Sequence, residues 1–92
     1  MYARVVTFEH ATNIDETAKG IENSDRPENV PATAFYLLAD RDAGKVMAVT
    51  FFETAEDMQK GHEALNAMTP PGGGFGTRAS VDLLEVVAHM TN

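Results

Sequence analysis

Hydrophobic and polar positions divide this chain into six segments. Tyr2 to Glu9 is rich in β-branched and aromatic residues and predicts a strand. Asn13 is a candidate N-cap, with Glu16 three residues on as in a capping box. Behind it Ile14, Thr17, Ala18 and Ile21 recur at i, i+3, i+4 and i+7, one face of a helix. Ser24-Asp25-Arg26-Pro27 ends that helix, and Glu28 to Pro31 reads as a loop because Val30 precedes a proline. Ala34 to Asp40 and Lys45 to Glu53 predict two strands. The short turn Arg41-Asp42-Ala43-Gly44 joins them into a hairpin, with Gly44 available for a positive φ. Thr54 is the expected N-cap of a second helix whose stripe is Met58, His62, Leu65 and either Met68 or Thr69. Pro70, Pro71 and the glycines at 72, 73, 74 and 76 stop it, and Arg78 to Ala88 predicts the last strand.

The order strand, helix, strand, strand, helix, strand predicts an α+β domain spanning residues 1–92, ferredoxin-like βαββαβ. Its four-stranded antiparallel sheet, in the order 4-1-3-2, carries two helices on one face. The other face should alternate with polar residues if it meets water. It does not. Met47, Val49 and Phe51 stand against Val46, Ala48, Thr50 and Phe52 in the third strand, and Phe35, Leu37 and Ala39 against Ala34, Tyr36 and Leu38 in the second. Leu83 and Val87 stand against Leu84, Val86 and Ala88 in the fourth. Two apolar faces call for cover on both sides, and a second copy about a two-fold axis supplies it, so a homodimer through the sheet face is expected. The alternative is a monomer with an apolar sheet surface.

Composition narrows the partners. Seven Lys+Arg against fourteen Asp+Glu give a net charge of −7, which opposes general binding to phosphate backbones. Without Cys there are no disulfides, thiolate metal sites or Cys nucleophiles. No stretch approaches the ~18 apolar residues of a membrane span, and the N-terminus lacks the apolar core of a signal peptide, so a soluble, cytoplasmic protein is expected.

His10, His62 and His89 are too far apart in sequence to suggest a metal site, and antiparallel pairing of the first and last strands sets His10 and His89 at opposite ends. No metal is expected. His62 lies on the apolar stripe and points toward the sheet. It is either a helix-edge histidine bonded to backbone or water, or a polar group in an oily pocket able to bind or deprotonate a phenol-like ligand. His10 reads as an exposed turn residue. Tyr36 could orient a ligand through its hydroxyl or simply pack; Thr7 and Thr50 read as ordinary strand residues; Arg4 and Arg78 are expected in salt bridges. The glycine run Gly72-Gly73-Gly74-Phe75-Gly76 follows a helix and lacks Gly-Lys-Ser/Thr, so it is a connector or lid, not a phosphate loop. Ser24 and Ser80 have no evident His-acid partners.

Residues 3–9 (ARVVTFE), 35–45 (FYLLADRDAGK) and 50–54 (TFFET), with Ser80-Val81-Asp82 and Glu85-Val86-Val87, resemble the antibiotic biosynthesis monooxygenase superfamily of dimeric α/β-barrel proteins over about residues 3 to 88. The resemblance implies two ferredoxin-like subunits closing into a barrel. It also implies oxidation of a small hydrophobic phenol- or quinone-type molecule by dioxygen with no bound cofactor, in a cavity between sheet and helices. By position that cavity takes Thr7, Phe51, Met58, His62 and Leu65, with Tyr36, and His62 is the candidate catalytic base or orienting group. A related branch degrades heme, but its helix Trp falls at Gly61, its heme-ligating His near Pro71 and its first-strand Asn at Ala3, which speaks against heme here. The Asn-Trp-Tyr-Arg set of the phenol-oxidising members is likewise not assembled from matching positions. Three readings follow: a cofactor-independent monooxygenase-like enzyme, a non-catalytic dimer that binds such a molecule, and a structural dimer whose cavity its own side chains fill.

Overall fold

The computed structural model describes residues 1–12, 14–23, 30–66 and 76–90. Its elements are β1 (Tyr2–Glu9), α1 (Ile14–Asn23), β2 (Ala34–Asp40), β3 (Lys45–Phe52), α2 (Ala55–Asn66) and β4 (Thr77–Glu85). One four-stranded antiparallel sheet runs β2-β3-β1-β4, the ferredoxin-like α+β arrangement expected from the order of elements. The Asn13 cap and the Met68 or Thr69 end of the second stripe lie outside the described residues, as does the glycine run up to Phe75.

Local chemistry explains the boundaries. In the hairpin turn Gly44 takes φ 65°, Asp40 Oδ1 accepts the Ala43 N–H at 3.2 Å, and the Gly44 carbonyl accepts the Ala11 N–H at 2.9 Å. Thr54 Oγ1 accepts the Asp57 N–H at 3.0 Å, satisfying one of the orphan donors at the start of α2. Asp15, in the first turn of α1, accepts both guanidinium arms of Arg41 and ties that helix to the hairpin turn. β4 ends at Glu85, three residues short of the expected Ala88. Its last pair with β1 is Glu85 opposite Tyr2, and the Val86 N–H then donates to the Met1 carbonyl at 2.9 Å. Among the described residues no helix is long and apolar enough to cross a membrane.

Cross-strand register assigns the two faces, because directly opposed residues project to the same side. Tyr2, Arg4, Val6 and Phe8 oppose Phe52, Thr50, Ala48 and Val46. Phe52 is fully buried and packs with Val30 and Met58, so this is the face that α2 covers. The opposite face carries Ala3, Val5 and Thr7 beside Phe51, Val49 and Met47, and then Ala34, Tyr36 and Leu38 on β2. α2 lies close to the sheet at Gly61, where a β-carbon would come within 2.5 Å of Phe52 Cζ.

Gly61→Ala therefore gains up to ~1 kcal/mol of helix propensity and forces a buried ring in a packed cluster to move, at about 1–3 kcal/mol. A net loss of stability, read as a lower urea midpoint with an unchanged m-value, is the expected outcome; a midpoint at or above wild type contradicts the close approach.

Candidate functional site

The six positions singled out in the sequence divide between the two sides of the sheet. Met58, His62 and Leu65 stand on α2, with Met58 buried and the other two half-buried. Thr7 and Phe51 belong to the opposite face, together with Tyr36, whose ring meets that of Phe51 edge-on at 5.9 Å. One chain thus sets the helix trio on α2 and, on the other face, brings Tyr36 to Phe51, while Thr7 opposes Met47 and lies four residues along β1 from Ala3, the partner of Phe51. Under the first half of α2 the space next to the sheet is occupied by Phe52, Met58 and Val30. The Phe52 ring also fills the space that a side chain at position 61 requires, so no Trp fits there.

Under the second half of α2 a polar cluster forms that the apolar stripe did not announce. Arg4, in the middle of β1 and only 6% exposed, projects toward the helix. Its Nε donates to His62 Nδ1 at 3.1 Å and its Nη2 donates to Asn66 Oδ1, also at 3.1 Å. Arg78 Nη2 donates to the same Asn66 oxygen at 2.6 Å. Arg78 reaches it because of an irregularity in β4. Alternation counted back from Leu83, which opposes Arg4, sends Arg78 to the wrong side. The register slips between Thr7 and Phe8, so that Thr7 opposes Ser80 and Phe8 opposes Arg78. Ala79 is the extra residue of a β-bulge, and the bulge turns Arg78 back toward α2. His62 and Asn66 are one helical turn apart and so share a face. The expectation of salt bridges for Arg4 and Arg78 is not met among the described residues, where the ion pairs are Arg41–Asp15 and Lys60–Glu56.

The electrostatics follow from this geometry. Burial, and then the nearby Arg78 charge, lowers the Arg4 pKa from its usual range. His62 is also lowered, first by desolvation and then by the Arg4 and Arg78 charges, with Glu63 opposing. Arg4 Nε can only donate, so in the tautomer that makes this bond His62 Nδ1 accepts and Nε2 carries the proton, 3.2 Å from Asn66 Nδ2. In that state the ring is a donor at its outer nitrogen and has no free lone pair with which to take a substrate proton.

His10 is exposed, with φ 58°, beyond the Glu9–Thr77 end of the β1–β4 pair, and His89 follows the opposite end. Among the described residues no three His, Asp or Glu converge as metal ligands. No family model, curated protein or solved structure matches the chain. Arg4 was detectable as the one charged residue among inward-facing Tyr2, Val6 and Phe8, and Asn66 as the i+4 neighbour of His62; the position of Arg78 depends on a bulge with no sequence signature.

Because the folded-state pKa of His62 lies below its unfolded value near 6.5, the unfolded chain binds the proton first. The contribution is complete above that value and is lost as pH falls from there through the folded-state pKa. His62→Gln should flatten the decline in denaturation midpoint between neutral and mildly acidic pH; equal slopes in the two proteins contradict the electrostatic environment described.

Proposed function

We propose that the chain acts as a homodimer that binds a small aromatic molecule of the phenol or quinone type beside the second half of α2. The observation that carries the binding reading is the meeting of Arg4, His62, Asn66 and Arg78 on the side of the sheet where Leu83 opposes Arg4. A few convergent polar groups set against apolar side chains are what fixes the orientation of a flat, mostly apolar ligand. Asn66 and Arg78 are exposed, so the cluster is open to solvent from outside.

The uncovered sheet face supports the homodimer. Tyr36 is 58% exposed, Leu38 51% and Leu84 49%. A standard interface hides about 800 Å² from each partner. Ser80 and Asp82 interrupt the apolar patch along β4, so its centre lies over β2 and β3.

A cofactor-independent monooxygenase is the second reading, and one observation favours it. Two guanidiniums beside a bound phenol stabilise its ionised form, the electron-rich species that reacts with dioxygen. His62 is then a donor to the substrate oxygen, and the guanidiniums supply the electrostatic help.

Sedimentation tests the first element: wild type is expected to run as a dimer, and Leu38→Lys, which alters a side chain exposed in the subunit, as a folded monomer. A wild type that stays a single subunit over a wide concentration range overturns the dimer. Calorimetric titration with hydroquinone and anthrone-type compounds tests the second, with binding expected and weakened about tenfold in Asn66→Ala. Oxygen uptake in the same mixtures, lost in Arg78→Gln, identifies the oxygenase; binding without uptake identifies the non-catalytic protein.

A further inference from the structure

The cluster under α2 has more hydrogen-bond donors than it can use. Arg4 and Arg78 have only donors to offer, and Asn66 Oδ1 already accepts from both. Asn66 Nδ2 lies 3.2 Å from His62 Nε2, while Arg4 Nε lies 3.1 Å from His62 Nδ1. A neutral imidazole accepts at one nitrogen only. Whichever tautomer forms, one N–H of the ring faces another N–H, and protonating the ring makes both contacts donor to donor. Turning the Asn66 amide over gives no relief, because its NH₂ then meets two guanidiniums.

The charge is as lopsided as the hydrogen bonding. Arg4 is buried, with Arg78 as a like-charged neighbour, and neither has a carboxylate partner among the described residues. Glu63, which acts on His62, is exposed. A buried cation without a counter-charge is costly unless something outside the chain supplies one.

We propose that Arg4, Arg78, His62 and Asn66 form an anion-recognition site whose ligand is a small organic acid, an ionised carboxylate or phenolate oxygen on an apolar body. The anionic oxygen enters where the two guanidiniums converge, displaces or shares the Asn66 carbonyl, and accepts the surplus N–H groups of Asn66 and His62. The apolar body lies along Leu83, which opposes Arg4 in the sheet. The bulge at Ala79 fits this role: it costs the sheet a regular pair and delivers the second guanidinium to the cluster. The inference rests on the reading that this region takes a small aromatic molecule, and specifies the charge of that molecule.

Thermal shift and calorimetry with benzoate, 4-nitrophenolate and the uncharged benzamide, at constant ionic strength and mildly alkaline pH, test it. Benzoate or nitrophenolate is expected to raise Tm by about 5 °C at concentrations well above Kd, and benzamide to have no effect. The tighter of the two anions distinguishes carboxylate from phenolate. Arg78→Gln, an exposed position that leaves folding intact, should weaken anion binding about tenfold or more. Asn66→Asp places a carboxylate on the chain itself, and should raise Tm without ligand while abolishing the anion-dependent shift; a structural hydrogen-bond network alone predicts no such exchange. If benzamide binds as tightly as benzoate, or Arg78→Gln leaves anion affinity unchanged, the anion site is overturned while the aromatic-binding reading survives. If none of the three compounds binds, both fall.

Discussion

The pairing of β1 with β3 at the centre of the sheet, in a register that opposes Arg4 to Thr50, is the constraint on which the remaining geometry depends. A strand has a side-chain period of two, so this one register decides which residues meet α2 and which do not. A shift by a single residue would send Arg4, Val6 and Phe52 to the uncovered side and bring Val5, Thr7 and Phe51 under the helix. The register is held by burial: Val6, Val46 and Phe52 are almost completely hidden, and none can exchange faces without exposing a large apolar side chain.

That register also commits the chain to burying a guanidinium. Arg4 cannot withdraw to solvent from the middle of a central strand, and its long side chain must find acceptors on α2. It finds an imidazole nitrogen and a side-chain amide oxygen, both uncharged, and no buried side-chain polar atom among the described residues is left without a hydrogen bond. Hydrogen-bond satisfaction and charge neutrality are separate requirements. The cluster meets the first for Arg4 and not the second, and the like charges add to burial, the larger cause, in lowering both the Arg4 and the His62 pKa.

The fold was legible in the chain because its signals are local. The hairpin turn, the Thr54 cap and the β-branched run at the start each specify an element within a few residues, and the order of elements then leaves few topologies. The site was legible only in part. Spacing on α2 identifies His62 and points it at the sheet, but its partner Arg4 lies 58 residues away and no periodicity joins them. A twofold excess of acids over bases suggested that each arginine would find a carboxylate, yet composition is an average and the second half of α2 is a local exception. Position-by-position transfer onto Thr7, Tyr36 and Phe51 treated the sheet as a single lining, whereas the pleat divides it between two sides.

The apolar sheet face and the arginine pair differ in physical kind, and different partners would relieve them. An apolar sheet face is relieved by area and by a surface of matching shape, which a second copy provides without any charge. A pair of guanidiniums is relieved by one negative charge at short range. The whole chain carries a net charge of −7, so a polyanion approaching it meets repulsion over roughly the Debye length of ~8 Å. A small singly charged molecule feels little of that field until it reaches the cluster, where the two guanidiniums dominate. An acidic composition therefore opposes a polyanion far more than a small monoanion on its way to the Arg4 and Arg78 guanidiniums.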